Sequence, residues 1–160
     1  MKLYCVRHGH AELALDATGE RPLTDEGIEE VNKVTNYMAH LGLHVSHVLH
    51  SKALRAVQTA KILVEKIAVD TEAEPLNLLA PEEPVYPFIE LLSSWHDDTL
   101  IVGHMPFVSQ LVSALVARNE DLNIVRFTPA TVVCLERYEA DKWIINWILH
   151  PDLVNDQFGK

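Results

Sequence analysis

The sequence predicts an α/β fold, with a mainly parallel sheet, helices on its faces and an antiparallel hairpin at one C-terminal edge. Three observations predict it. Short apolar runs at Leu3–Val6, Val45–Leu49 and Thr99–Val102 have strand length and each stops at polar residues or glycine. The segments between them carry apolar residues at helical spacing, and alternating strands and helices call for parallel crossovers. Two later apolar runs, Thr131–Leu135 and Trp143–Leu149, meet through Glu139-Ala140-Asp141, the pattern of a hairpin. At 160 residues the chain has the size of one domain, and a single domain over residues 1–160 is expected.

The elements follow in order. The first strand ends in Arg7-His8-Gly9-His10, after which residues 11–22 lack periodicity and read as a loop over the strand end. Thr24 is a good N-cap, Asp25 and Glu26 complement the dipole of the helix it opens, and Ile28, Val31, Val34, Thr35, Met38 and Leu41 form its apolar stripe. Gly42 stops that helix. The second strand ends in His50-Ser51, and Ser51 is positioned to cap the helix of Leu54, Val57, Ala60, Leu63 and Ile67. Residues 72–79 read as a short strand or extended arm, residues 80–84 as a turn, and Pro84 or Pro87 as the start of a helix through Trp95. Thr99–Val102 ends in Gly103-His104, and Pro106 suits the first turn of the helix from Phe107 to Val116. The tail from Pro151 to Lys160 carries no strong signal.

Composition narrows the function. With 13 Lys and Arg against 23 Asp and Glu, the formal charge is −10, which argues against nucleic acid or an anionic membrane surface as partner. No apolar run reaches membrane-spanning length, and the Met-Lys start runs directly into the first strand, so a cytoplasmic protein without a signal peptide is expected. Cys5 and Cys134 lie in apolar runs and read as reduced, buried residues. His44, His47 and His50 do not fall on one face, so no metal site is expected from them.

In a parallel sheet the three polar strand ends share one edge, bringing Arg7 and His8 beside Ser51 and His104, with Arg55 one helical turn onward and Arg21 reachable from the loop. Guanidinium groups match phosphate oxygens and stay charged at any working pH. A neutral imidazole is a competent phosphoryl acceptor, and neighbouring arginines favour the neutral form. A charge pair at about 4 Å is worth about 4 kcal/mol at an effective dielectric of about 20, so a local cluster overcomes the screened acidic surface.

Arg7-His8-Gly9 after a strand, Leu23-Thr24-x-x-Gly27, Ser51-x-x-x-Arg55-Ala56-x-Gln58-Thr59-Ala60 and Gly103-His104 together resemble the histidine phosphatase, or phosphoglycerate mutase-like, superfamily. The short chain, Arg21-Pro22-Leu23-Thr24 and Val102-Gly103-His104-Met105-Pro106 are most similar to its SixA-type phosphohistidine phosphatase branch. The resemblance implies a three-layer αβα sandwich. It also implies a nucleophilic His8, a phosphate clamp of Arg7 and Arg55, a stabilising His104, and phosphate contacts from Arg21 and Ser51. No metal or organic cofactor is implied. The partner would be a phosphohistidine-bearing signalling or phosphotransfer protein, and phosphate or sulfate-like anions would enter the pocket.

Two departures from the family pattern stand out. Members of the superfamily often carry an acid in a longer insertion near the position of Pro81. Here only Glu82 and Glu83 are available as acid or base, in a turn whose composition suits a solvated role. His10 occupies a position where a carboxylate or amide often follows the glycine. The expected activity is hydrolysis of protein phosphohistidine, since a phosphoramidate needs less help from an acid. The alternatives are a general phosphomonoesterase acting on small metabolites or phosphopeptides and a non-catalytic phosphate-binding module.

Overall fold

Side chains alternate across a strand, so an apolar strand buried on both faces needs a helical layer on each. The computed structural model describes residues 1–159, and Lys160 of the tail and of the expected domain span lies outside them. Six strands, β1 (Lys2–Arg7), β2 (His47–His50), β3 (Ala73–Pro75), β4 (Thr99–Gly103), β5 (Val132–Glu139) and β6 (Lys142–Leu149), form one sheet. The order across it is β3-β2-β4-β1-β5-β6. The first four strands are parallel, while β5 is antiparallel to β1 and β6 to β5. Helices α1 (Asp25–His40) and α2 (Leu54–Ile67) cover one face, and α3 (Val85–Leu92) and α4 (Phe107–Ala117) the other.

Strand alternation sorts the core between these layers. Tyr4, Val6, Leu100, Val102 and Cys134 pack with Val34, Met38 and Leu63 of α1 and α2. Leu3, Cys5, Ile101, Val133 and Leu135 pack with Phe88, Phe107 and Leu111 of α3 and α4. The architecture is the expected α/β sandwich with an antiparallel edge hairpin. Cys5 and Cys134 are buried free thiols on opposite faces of the sheet. Among the described residues no helix is long and apolar enough to cross a membrane.

Several local expectations shift. The Oγ1 of Thr24 accepts from the Gly27 amide at 2.9 Å, so α1 begins where the sequence places it. Its buried stripe is Gly27, Val31, Val34, Thr35 and Met38, whereas Ile28 and Leu41 are exposed. Leu41 is the C-cap and lies beyond the last helical turn. Ser51 does not cap α2, because its amide is still in the sheet ladder, donating to the Val102 carbonyl at 3.1 Å, and α2 starts only at Leu54. Residues 72–79 divide into β3 and a 3-10 turn at Asn77–Leu79, and Pro84 is the N-cap of α3. A register shift opposite Cys134 and Leu135 reverses the alternation of β6, so Trp143 and Ile145 face α3 and α4 while Trp147 and Leu149 face α1 and α2. The tail forms 3-10 turns at Pro151–Leu153 and Asp156–Gly159 and docks on α1, with Phe158 edge-on to Tyr37 at 5.2 Å between centroids.

Candidate active site

Register places the chemistry at one edge of the sheet. Arg7 pairs with Gly103 and His50 with Val102, so the C-terminal ends of β1, β2 and β4 are level. The His8 amide extends the ladder by donating to the Gly103 carbonyl at 3.0 Å. Consequently the His8 and His104 rings face each other with centroids 5.0 Å apart, tilted by 58°.

One hydrogen bond fixes the tautomer of His8. Its Nδ1 lies 2.7 Å from the Gly9 carbonyl oxygen. A carbonyl only accepts, so Nδ1 carries the proton and the neutral ring presents a lone pair at Nε2. Burial lowers the His8 pKa to about 4; the Gly9 bond, the next largest influence, pulls upward, and the positive charges of Arg55, Arg7 and Arg21 each add a smaller downward push. The ring is therefore neutral at pH 7. His104 is pushed down further, to about 3, by burial and then by His8 and the same arginines. Its Nε2 hydrogen-bonds with Ser51 Oγ, and its Nδ1 is buried.

The arginines enter from three elements. Arg7, at the end of β1, donates through Nη1 to the Phe127 carbonyl at 2.7 Å. Arg55 rises from the first turn of α2. Arg21 donates through Nε to the Glu12 carbonyl at 2.6 Å, and its charge acts on both imidazoles and on Arg55. Burial makes the protonated guanidinium less favourable at Arg7 and Arg55, and at Arg55 the charge of Arg21 adds to this.

Among the described residues, the buried side-chain nitrogen and oxygen atoms without a hydrogen-bond partner are Arg7 Nε, Arg55 Nε and His104 Nδ1. An unmet buried polar group costs about 1–3 kcal/mol. Three of them at one sheet edge, two being guanidinium donors, describe a cradle suited to an oxyanion.

Supporting contacts hold this cradle in shape. Thr59 Oγ1 donates to the Arg55 carbonyl at 2.8 Å and accepts from the Gly9 amide at 3.0 Å, joining α2 to the backbone beside His8. Gly9 is needed there because a Cβ would come within 2.7 Å of Val31 Cγ2 and 3.1 Å of the Gly27 carbonyl. Behind Arg7, the Ala130 amide lies 3.1 Å from the Arg7 carbonyl and 3.2 Å from that of His8. Thr131 Oγ1 meets His150 Nδ1 at 3.0 Å, so His150 supports this segment through a side chain. The loop of residues 11–22 is closed at its base by a bridge between Ala11 and Leu23 and is tied to α2 where Gln58 Oε1 accepts from the Leu23 amide at 2.7 Å.

His8, Arg7, Arg55, His104, Ser51 and Arg21 are thus gathered at one edge, with Ser51 turned toward His104. Glu82 and Glu83 are exposed on the turn before α3, and their carboxylates hydrogen-bond to nothing among the described residues. His10 is exposed, with Nδ1 3.0 Å from Thr24 Oγ1 at the start of α1. The carboxylate whose charge bears on Arg55 is Glu20, whose Oε2 accepts from the adjacent Leu54 amide at 3.4 Å and which favours the protonated guanidinium. Sequence reasoning missed Glu20, and also the bracing role of Thr59, because loop-to-helix contacts leave no periodic trace.

Known proteins resemble this chain in sequence and fold. Residues 3–76 match the model of the Histidine phosphatase superfamily (branch 1). The chain is similar to Phosphohistidine phosphatase SixA of Escherichia coli (strain K12), 26% identical over 155 residues that span 94% of either chain. An uncharacterized protein of Picosynechococcus sp. is 35% identical over 121 residues, 72% of this chain and 73% of that one. The solved structure of the protein histidine phosphatase SixA complexed with tungstate aligns at a TM-score of 0.86 and 26% identity, covering 96% of this chain and 99% of the other. Motif, fold and relatives agree, and the chain belongs to the histidine phosphatase superfamily.

Proposed function

We propose that the protein is a cytoplasmic phosphohistidine phosphatase that dephosphorylates a histidine on a signalling or phosphotransfer protein through a covalent phospho-His8 intermediate. The broader class, a hydrolase acting on phosphorylated substrates, is common to the relatives with named activities. The observation that carries the finer reading is the neutral His8, with its proton held on Nδ1 by Gly9 and Nε2 free, beside the unpartnered nitrogens of Arg7, Arg55 and His104.

In this reading Nε2 attacks phosphorus, and the bond from phosphorus to the substrate's ring nitrogen breaks. The electron pair stays on that nitrogen, and a proton on the other nitrogen of the substrate ring lets it leave as neutral imidazole. The His8 ring becomes an N-phosphorylated imidazolium, whose Nδ1–H bond to Gly9 strengthens as the ring gains charge. Water then attacks phosphorus, the bond to Nε2 breaks and its electrons return to the ring, while the proton from water goes to solvent or phosphate. Arg7, Arg55 and Arg21 hold the equatorial oxygens, and His104, positioned by Ser51, meets the transferring group through Nδ1. The exposure of Glu82 and Glu83 supports a substrate whose leaving group needs no buried acid.

The test is to offer a protein bearing labelled phosphohistidine, quench in alkali and follow the label. Label is expected on the wild-type enzyme and not on His8→Ala. A clear preference for sugar or alcohol phosphates favours the phosphomonoesterase, and binding without turnover or label favours the non-catalytic module.

A further inference from the structure

We infer that Glu20 sets how tightly the pocket holds its anion, its carboxylate competing with phosphate for the N-terminal end of α2 and for Arg55. The inference rests on the arginine pocket being a phosphoryl site. Helix α2 opens without a side-chain cap or a negative charge of its own: its N-cap is Ala53, whose amide meets the neutral Ser51 Oγ at 3.4 Å, and its first turn holds no acidic residue. Helix α1 supplies all of these from its own sequence, through Thr24, Asp25 and Glu26. At α2 the negative group arrives instead from the loop, where Glu20 Oε2 accepts from the Leu54 amide at 3.4 Å, one residue before Arg55.

The loop is built to deliver it. Asp16 Oδ1 accepts from the amides of Thr18 at 2.8 Å and Glu20 at 3.0 Å, and the Asp16 amide donates to the Glu20 carbonyl at 2.7 Å. Glu20 therefore enters on the same hydrogen-bonded turn that brings in Arg21. Arg21 and Glu20 then act on Arg55 in opposite senses, the first disfavouring its charged form and the second favouring it. Three guanidiniums and a helix N-terminus would hold a dianionic product firmly. A carboxylate seated on the Leu54 amide, its charge acting on the neighbouring Arg55, weakens that hold and eases product departure.

Glu20→Gln separates charge from shape, since the amide oxygen still accepts from Leu54 while the negative charge is gone. Tungstate and inorganic phosphate serve as probes, measured by calorimetric titration and as inhibitors of turnover. Both are expected to bind Glu20→Gln about fivefold more tightly than wild type, the size of one partly screened charge interaction. Glu20→Asp, which keeps the charge, is expected to stay closer to wild type. A purely structural staple predicts unchanged binding in Glu20→Gln, since the amide oxygen keeps the Leu54 contact. Unchanged or weaker binding in Glu20→Gln, with wild type binding normally, overturns the role of Glu20 alone. Absence of tungstate and phosphate binding in wild type overturns the phosphoryl pocket and this inference with it.

Discussion

Titrating the free enzyme downward from neutral pH is expected to leave His8 uncharged until about pH 4, where an ordinary imidazole would already have protonated near 6.5. That gap corresponds to about 3 kcal/mol by which the folded site disfavours the imidazolium. Burial is the largest cause, followed among the charges by Arg55, Arg7 and Arg21. Replacing Arg55 with Met should therefore raise the midpoint only part of the way toward 6.5. The sign for stability follows. Between about pH 4 and 6.5 the unfolded chain binds more protons at this residue than the folded one, so stability falls as the pH drops through that window. Above it, both states are neutral and His8 contributes no pH dependence. Nitrogen-15 NMR of the imidazoles, with the His8 signals assigned by their loss in His8→Ala, reads both midpoint and tautomer. A midpoint near 6.5, or a proton on Nε2 in the neutral ring, would refute the argument from burial and from the Gly9 carbonyl.

Two further substitutions test the supports. Ser51→Ala removes the partner of His104 Nε2 and leaves a second ring nitrogen unpaired, so kcat is expected to fall about tenfold with little change in KM. A rise in KM at constant kcat would instead return Ser51 to direct phosphate contact. Gly27→Ala ordinarily favours a helix by about 1 kcal/mol. Here its Cβ would overlap the His10 carbonyl oxygen, which also accepts from the Thr24 amide at 3.0 Å. Overpacking of about 1–3 kcal/mol and the loss of a bond worth about 1 kcal/mol should lower Tm by several degrees. A higher Tm in a thermal melt would count against this close approach of loop and helix.

Much of the site was legible because its residues sit at strand ends or one turn beyond. Arg7 and His8 end the apolar run of β1, His104 follows that of β4, and Arg55 lies on the first turn after β2. Local chemistry also announced α1, through Thr24, Asp25 and Glu26. Ser51 was misread as a cap because a serine before a helix has that signature whether or not its own amide is still paired in a sheet. The same limit applies to β6, where a register shift sends Trp147 to the face opposite Trp143, although strict alternation would keep them together.

The sequence by itself determined the α/β class, the strand ends that carry reactive groups, and the kind of ligand a histidine with several arginines can receive. Those properties follow from short-range patterns, in which the period of apolar residues and the residue closing each run are visible without the fold. The tertiary structure alone decided that Nδ1 of His8 is the protonated nitrogen, that Ser51 turns to His104, and that Glu20 rather than Glu82 or Glu83 reaches the start of α2 next to Arg55. Each depends on a contact whose distance and direction are set only when the strands are in register and the loop is closed. A carboxylate's effect on a neighbouring charge falls with distance, so the number of glutamates in a sequence says little until one of them is brought beside Arg55.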